Sequence, residues 1–341
     1  LALLLLCILP MFAAAETLHF PYNPVLSPNG ETIYFSYDGD IFSVPAGGGL
    51  AVRVVSLGGT ESNPKISPCG KYIAFASDIQ GNNDVYVVPV AGGDVKRLTW
   101  HEGNDVPAGW SKDSKHIYFE SNRANNRTTY KVALAGGTPE RLFPNYFNTI
   151  VNVAENPQTG ELYFNESTES INFPTRKRYV GDHNPNIKSW NPAKKQYREL
   201  TSYEGKDSWP MADKKGNLYY VTDRYNKESN IVRHNPAGEP VQLTSYSQSV
   251  QYPSVSYGGD AMVFILEYKI HYMDLATGKV TVPQISSMQS ISIVCGCSPP
   301  RRPSGVSCTR IFCESIKVES PWMSSSFFCV HSALPHISGS L

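Results

Sequence analysis

The chain repeats itself, and no other feature of it constrains the fold as strongly. Three early segments align: NPVLSPNGETIYFSYDGDIFSVPAGGG from Asn23, NPKISPCGKYIAFASDIQGNNDVYVVPVAGGDVKRLT from Asn63, and VPAGWSKDSKHIYFESNRANNRTTYKVALAGGTPERLF from Val106. Each follows one script. A short apolar strand ends in Ser-Pro or its equivalent, a polar turn carries Gly or Ser, and an alternating strand such as Tyr72-Ile73-Ala74-Phe75-Ala76 comes next. An Asn/Asp/Gly-rich turn leads to a third strand such as Asp84-Val85-Tyr86-Val87-Val88, and an Ala-Gly-Gly turn to a short fourth such as Lys96-Arg97-Leu98-Thr99. Degenerate copies begin at Val153, Ser208 and Tyr252. Anchors at Ser27, Ser67, Ser111, Glu155, Ala212 and Ser256 lie 40, 44, 44, 57 and 44 residues apart. A mean near 45 is the length of a four-stranded propeller blade. The long unit carries an insertion, SINFPTRKRYVGDHNPNIKSW, between its second and third strands.

Four short strands cannot bury both faces of their own sheet, but six such sheets stacked radially bury a continuous core and leave only short edges. A linear β-solenoid repeats at half this length or less, and paired sandwiches do not keep an in-phase script. The expected fold is therefore all-β: a six-bladed β-propeller of four-stranded antiparallel blades over residues 16–284. The composition agrees, with 26 Gly, 25 Pro and 20 Tyr against 18% charged residues. The stretch Thr17–Pro21 is expected to close the ring against the last blade.

The two ends read differently. Leu1–Ala15 is a short apolar run with Ala13 and Ala15 in an A-x-A cleavage pattern, too short to span a bilayer. It reads as a signal peptide, incomplete because neither an initiator Met nor a positive leading region precedes it, and it implies an exported, periplasmic or extracellular protein with no membrane span after cleavage. Residues 285–341 abandon every pattern of the body. They hold five of the seven Cys, 15 Ser and only two acids, Glu314 and Glu319. The spacings Cys295-x-Cys297 and Cys308-x4-Cys313 do not match zinc knuckles. This stretch reads as an aberrant, disordered tail translated in a wrong frame. Only Cys69 remains in the body, so no disulfide framework supports it.

With 30 basic and 30 acidic residues the chain has no net charge, which argues against charge-driven binding of nucleic acid or an anionic membrane. No G-x-S-x-G elbow, H-E-x-x-H, P-loop or G-x-G-x-x-G occurs, so no catalytic residue is assigned. His101, His183 and His234 read as ordinary polar residues. The acidic turns Asp38-Gly39-Asp40 and Asp78 to Asp84 supply oxygen ligands but lack the EF-hand spacing and serve equally as turns, so no metal and no cofactor is expected. Two N-glycosylation sequons, at Asn126 and Asn165, indicate surface at most. Binding is the more plausible activity, because a propeller gathers the loops leading into its first strands around one mouth of a central channel. Asn63, Asp105, Trp209 and Tyr252 in those loops offer amide, carboxylate and ring contacts to an extended peptide. The alternative at these positions is that Pro starts each strand and the aromatics pack between blades, as Trp110 is expected to do.

The words S-P-x-G-x-x-I-x-F at Ser67–Phe75, S-D-x-x-G-N-x-D-V-Y at Ser77–Tyr86 and A-G-G-x-x-x-R-L-T at Ala91–Thr99 resemble the WD-like propeller repeats of TolB and of the tricorn protease. The repeats follow the leader at once, with wording such as DGDIFSVPAGGG at Asp38–Gly49. That order resembles the N-terminal propeller of exported tricorn-like serine peptidases more than TolB, which carries an α/β domain ahead of its propeller. The resemblance covers residues 16–284. It implies a non-catalytic propeller that guides peptides for PDZ and serine-protease domains missing from this chain, and it carries over no catalytic residue. Two other readings stand beside it: a stand-alone TolB-like periplasmic scaffold that holds a partner protein, and a propeller lyase or hydrolase with its site at the channel mouth.

Overall fold

The computed structural model describes residues 15–124, 127–144 and 149–288, of which Glu16–Ser287 form one compact unit. Six antiparallel sheets follow one another along the chain, over residues 22–55, 61–97, 105–141, 151–199, 207–242 and 251–281. In each, four strands pair in chain order. The first strands are Tyr22–Leu26, Glu61–Ile66, Asp105–Trp110, Val151–Glu155, Asp207–Ala212 and Gln251–Val255. Each touches the first strand of the blades before and after it, and the sixth touches the first, so they form the inner wall of a closed ring. The fold is the six-bladed propeller that the repeat implies.

The repeat word has a direct physical meaning. The residue just past each first strand, Ser27, Ser67, Ser111, Asn156, Asp213 or Ser256, donates its backbone N–H to a carbonyl four or five residues on. In five blades its side-chain oxygen also accepts the returning N–H, as in Thr32 to Ser27 Oγ at 2.9 Å and Asn217 to Asp213 Oδ1 at 3.0 Å. In blades 4 and 5 this turn residue is Asn156 and Asp213, one position beyond the sequence anchors Glu155 and Ala212, because those copies lack the Ser that marks the spot elsewhere. The left-handed position of the turn is Gly in five blades and Ser114, at φ 60°, in the third.

Seven or eight residues past each turn residue stands one large aromatic: Phe35, Phe75, Phe119, Phe164, Tyr220 and Phe264, all fully buried. Each contributes about 1.5–3 kcal/mol through burial. Six apolar clusters result, one in every space between neighbouring blades. Trp110 packs between blades 2 and 3 as expected, and its indole N–H donates to the Lys65 carbonyl at 2.9 Å.

Ring closure differs from the expectation. The sixth blade already has four strands of its own, so it offers no place to the N-terminal segment. Instead Gln284–Met288 runs parallel along the outer edge of blade 1, and Ala15–Thr17 pairs beyond it. Leu18 donates its backbone N–H to the Ile285 carbonyl at 2.9 Å, and both side chains join the core between blades 6 and 1. The β-structure thus continues to Met288, past the expected boundary at 284. The leader Leu1–Ala14 and residues 289–341 lie outside the described residues.

Candidate functional site

Every inner strand is interrupted by a bulge near its start, where the pairing with the second strand slips. In five blades the bulged residue is non-glycine and left-handed: Asn23, Asn63, Asn152, Trp209 and Tyr252, with φ between 48° and 57°. Such a conformation costs about 1–3 kcal/mol at a bulky residue and persists only where the surroundings fix it. Pro follows the left-handed residue in four of these blades and withholds a ladder N–H at that step. In blade 4 the surroundings are explicit, since Asn152 N–H donates to Glu120 Oε1 at 2.9 Å.

Three of the four residues expected at the mouth, Asn63, Trp209 and Tyr252, occupy this same step of their blades. Asn63 Oδ1 accepts from Asn23 Nδ2 at 2.8 Å, and the Trp209 and Tyr252 rings sit 5.9 Å apart. Trp209 N–H donates to Asn165 Oδ1 at 3.2 Å. Asp105 is placed differently. It precedes the bulge, is fully buried, and its Oδ2 accepts from Arg123 Nη2 at 2.5 Å. Glu61 and Asp207 hold the equivalent position in blades 2 and 5, bonded to Ser77 and Arg224. Burial pushes the Asp207 carboxyl above the usual range, and Thr222 and Arg224 oppose that rise. Asp105 therefore faces the blade interior, because an Arg two residues past the end of the second strand draws the carboxylate inward. The words Ser121-x-Arg123 and Thr222-x-Arg224 carried that signal in the sequence.

The channel holds a cavity of about 220 Å³ walled by all six inner strands. Asn152, Trp209 and Pro210 stand toward its bulged end, while Pro28, Pro68, Lys112, Pro157 and Tyr257 rim the other. Glu155 is held in the wall, its Oε2 accepting from Tyr118 Oη at 2.8 Å and from Lys112 N–H at 3.0 Å. Burial, and then the Glu155 charge, push the Tyr118 phenol far above its ordinary value, so it stays protonated as a donor. At the bulged end the blade-4 insertion, with its one-turn helix Glu169–Asn172, reaches over blades 4 and 5. Ser170, Pro174 and Pro185 pack with Asn152 and Trp209, and a buried Lys206–Glu169 ion pair at 2.8 Å fastens the segment. The sequence shows the insertion but not its packing against the bulged end, and it gives no sign of the roles of Lys65 and Asn152.

The remaining expectations resolve locally. His101 Nδ1 accepts the Gly103 N–H at 2.8 Å, and His234 is half-buried beside the Tyr220 ring. The carbonyl of His183 accepts from Ser167 Oγ at 2.5 Å. Asp78 Oδ1 caps the Thr60 N–H, and Asp84 is bonded to Arg97 and Thr99, so the acidic turn spends these two carboxylates on its own structure. Asn165 is a correction: the sequon suggested surface, but the residue is fully buried and its amide donates to the Asn186 and Asp207 carbonyls, each at 3.0 Å. Asn126 lies outside the described residues.

The family described as the tricorn protease N-terminal beta propeller domain matches residues 22–279. The chain belongs to this family. Among solved structures, this chain is similar in fold to the tricorn protease, with TM-score 0.63 and 18% identity over 77% of this chain and 26% of that one. It therefore spans about a quarter of the tricorn protease chain. It is also similar to putative TolB from Agrobacterium tumefaciens, with TM-score 0.51 and 16% identity over 77% of this chain and 80% of the other. A chain of a nidogen/laminin complex gives TM-score 0.55 and 14% identity over 74% and 96%. At these identities the likeness is one of fold. A search of the curated proteins gives no match. Among the described residues no helix is long and apolar enough to cross a membrane.

Proposed function

We propose that this tricorn-type propeller is the peptide-handling part of an exported serine peptidase, and that it binds extended peptide without cleaving it, the PDZ and protease domains lying outside this chain. The observation that carries the reading is the channel. Its wall, to which all six blades contribute, combines the rings of Trp110, Trp209 and Tyr257, the Asn152 amide and several prolines around a cavity of about 220 Å³, small beside the roughly 300–1,000 Å³ of sites that enclose compact ligands. A slender chain fits such a space better than a folded partner. The family match to a domain that begins a protease, and the quarter-length coverage of that protease, supply the context.

The test uses the full chain and a fluorescein-labelled unstructured decapeptide, followed by anisotropy. Saturable binding is expected, weakened about tenfold or more by Trp209→Ala, since a partly exposed Trp ring that a ligand covers is typically worth more than 1 kcal/mol at an interface. The peptide should be recovered intact. Absence of binding, or inhibitor-sensitive cleavage by the purified chain, would contradict the proposal.

A further inference from the structure

The inner strands place one residue per blade at the step just after the bulge, opposite the second strand. In five blades it is neutral: Val25, Gly109, Ala154, Met211 and Ser254. In blade 2 it is Lys65, opposite the small Ala74. Lys65 lines the channel cavity and is mostly buried, and among the described residues no ion pair includes it. The anion whose charge it feels, Glu120, is already engaged by Arg127 Nε at 3.2 Å and by the Asn152 N–H at 2.9 Å. Burial pushes the Lys65 ammonium below its ordinary pKa, with Glu120 working the other way. The other charges on the cavity leave Lys65 unmatched. Glu155 is bonded to Tyr118 and to the Lys112 backbone, while the Lys112 side chain is exposed at the rim. Buried cations are ordinarily paired, because desolvation without a partner is costly. A lysine kept where five blades carry neutral residues therefore lacks a partner that the protein does not supply.

We infer that Lys65 is a carboxylate-binding site inside the channel, which takes an anionic end or side chain of a bound peptide. The inference rests on the peptide-binding reading above and adds the chemistry of the ligand. An ammonium set in the channel wall and shielded in part from bulk water gains a charge-assisted hydrogen bond from a carboxylate, about twice as strong as a neutral one. The amide and aromatic groups toward the bulged end supply neutral contacts for the rest of the chain.

The test titrates the full chain with an unstructured hexapeptide of Ala, Gly and Tyr in three forms: free acid, C-terminal amide, and amide with one internal Glu. The free acid is expected to bind at least tenfold more tightly than the amide. An equal gain from the internal Glu identifies a side-chain carboxylate as sufficient, and no gain from it identifies the terminal carboxylate as the ligand. Lys65→Met should erase the preference while amide affinity stays within twofold, and Lys65→Arg should retain it. Equal binding of acid and amide by the wild-type chain, or a preference that survives Lys65→Met, would overturn the inference. If none of the peptides binds, the peptide reading fails and acetate alone decides the site. A saturable change in the Lys65 Cε chemical shift upholds a carboxylate site, and none overturns it. As a control on folding, Lys65→Met should hold or raise the urea midpoint, and a fall would show that the protein itself satisfies the ammonium, overturning the inference.

Discussion

Removing Arg123 should be more damaging than neutralising the carboxylate it serves, and the reason lies in which partner can reach water. Asp105 is 0% exposed, its Oδ2 accepts from Arg123 Nη2 at 2.5 Å, and its Oδ1 has no hydrogen-bond partner among the described residues. Arg123 keeps 14% of its side chain exposed, stacks 5.1 and 4.8 Å from the Phe119 and Tyr130 ring centres, and donates to Ser121 Oγ at 2.9 Å. Arg123→Ala strands a charge that cannot move to solvent, which costs about 3–5 kcal/mol. Asp105→Asn leaves a guanidinium that can turn outward and an amide that still accepts, at about 1–2 kcal/mol. With an m-value of roughly 3 kcal/mol/M, the urea midpoint of Arg123→Ala should fall by about 1 M or more, and that of Asp105→Asn by less than half as much. The double variant Asp105→Asn/Arg123→Leu should recover part of the loss, because it removes the stranded charge. Equilibrium unfolding followed by far-UV circular dichroism and by tryptophan emission reads all three. A loss below 1 kcal/mol for Arg123→Ala, or a larger loss for Asp105→Asn, would refute the reasoning. Peptide affinity should be unchanged in Asp105→Asn, since the carboxylate faces the blade interior.

Three further outcomes follow from single features. A Cβ at Gly48 would stand 2.6 Å from the Gln284 carbonyl at a φ of 95°, so Gly48→Ala should displace the closing strand, lower stability by about 2 kcal/mol or more, and speed amide exchange at Ser286 and Ser287. Burial lowers the pKa of His234 and, against smaller contributions from the Lys269 carbonyl and Glu267, that of His271. The unfolded chain then binds protons first as pH falls below about 6.5, so the urea midpoint should drop between pH 7 and 5 and stay level above, and His234→Gln/His271→Gln should flatten that slope. Asn165 should carry no glycan when the chain is expressed through a eukaryotic secretory pathway, as peptide mass spectrometry will show, because its amide is enclosed and doubly bonded.

Blade number, strand order and the position of the insertion were legible because each rests on a local rule repeated six times. In five blades a Ser or Asp just past the inner strand catches its own returning strand, and in all six an aromatic seven or eight residues past that position fills the space between blades. Where a copy lost the marker residue, as at Asn156 and Asp213, the register was misplaced by one. Ring closure was not legible, since Gln284–Ser287 pairs with Gly48–Ala51, more than 230 residues away in sequence, and no local pattern announces such a partner. At the site, the Asn-Pro, Trp-Pro and Tyr-Pro pairs, read as loops leading into the first strands, stand at bulges inside those strands, where a left-handed residue is followed by Pro. Asp105 and Asn165 were misread. Their burial depends on Arg123 and on the carbonyls of Asn186 and Asp207, which only the assembled blades bring within reach. Lys65 was passed over because a lysine in a strand looks solvated until its neighbours in the ring are known.

The central claim, that peptide occupies the channel and leaves it uncut, is tested most directly by photo-crosslinking. A decapeptide carrying one benzoylphenylalanine, irradiated with the full chain and mapped by mass spectrometry, is predicted to label the inner strands at residues 108–110, 152–155, 209–212 and 253–255, with the peptide intact. Labelling confined to the outer strands, or recovery of a cleaved peptide, would contradict the account.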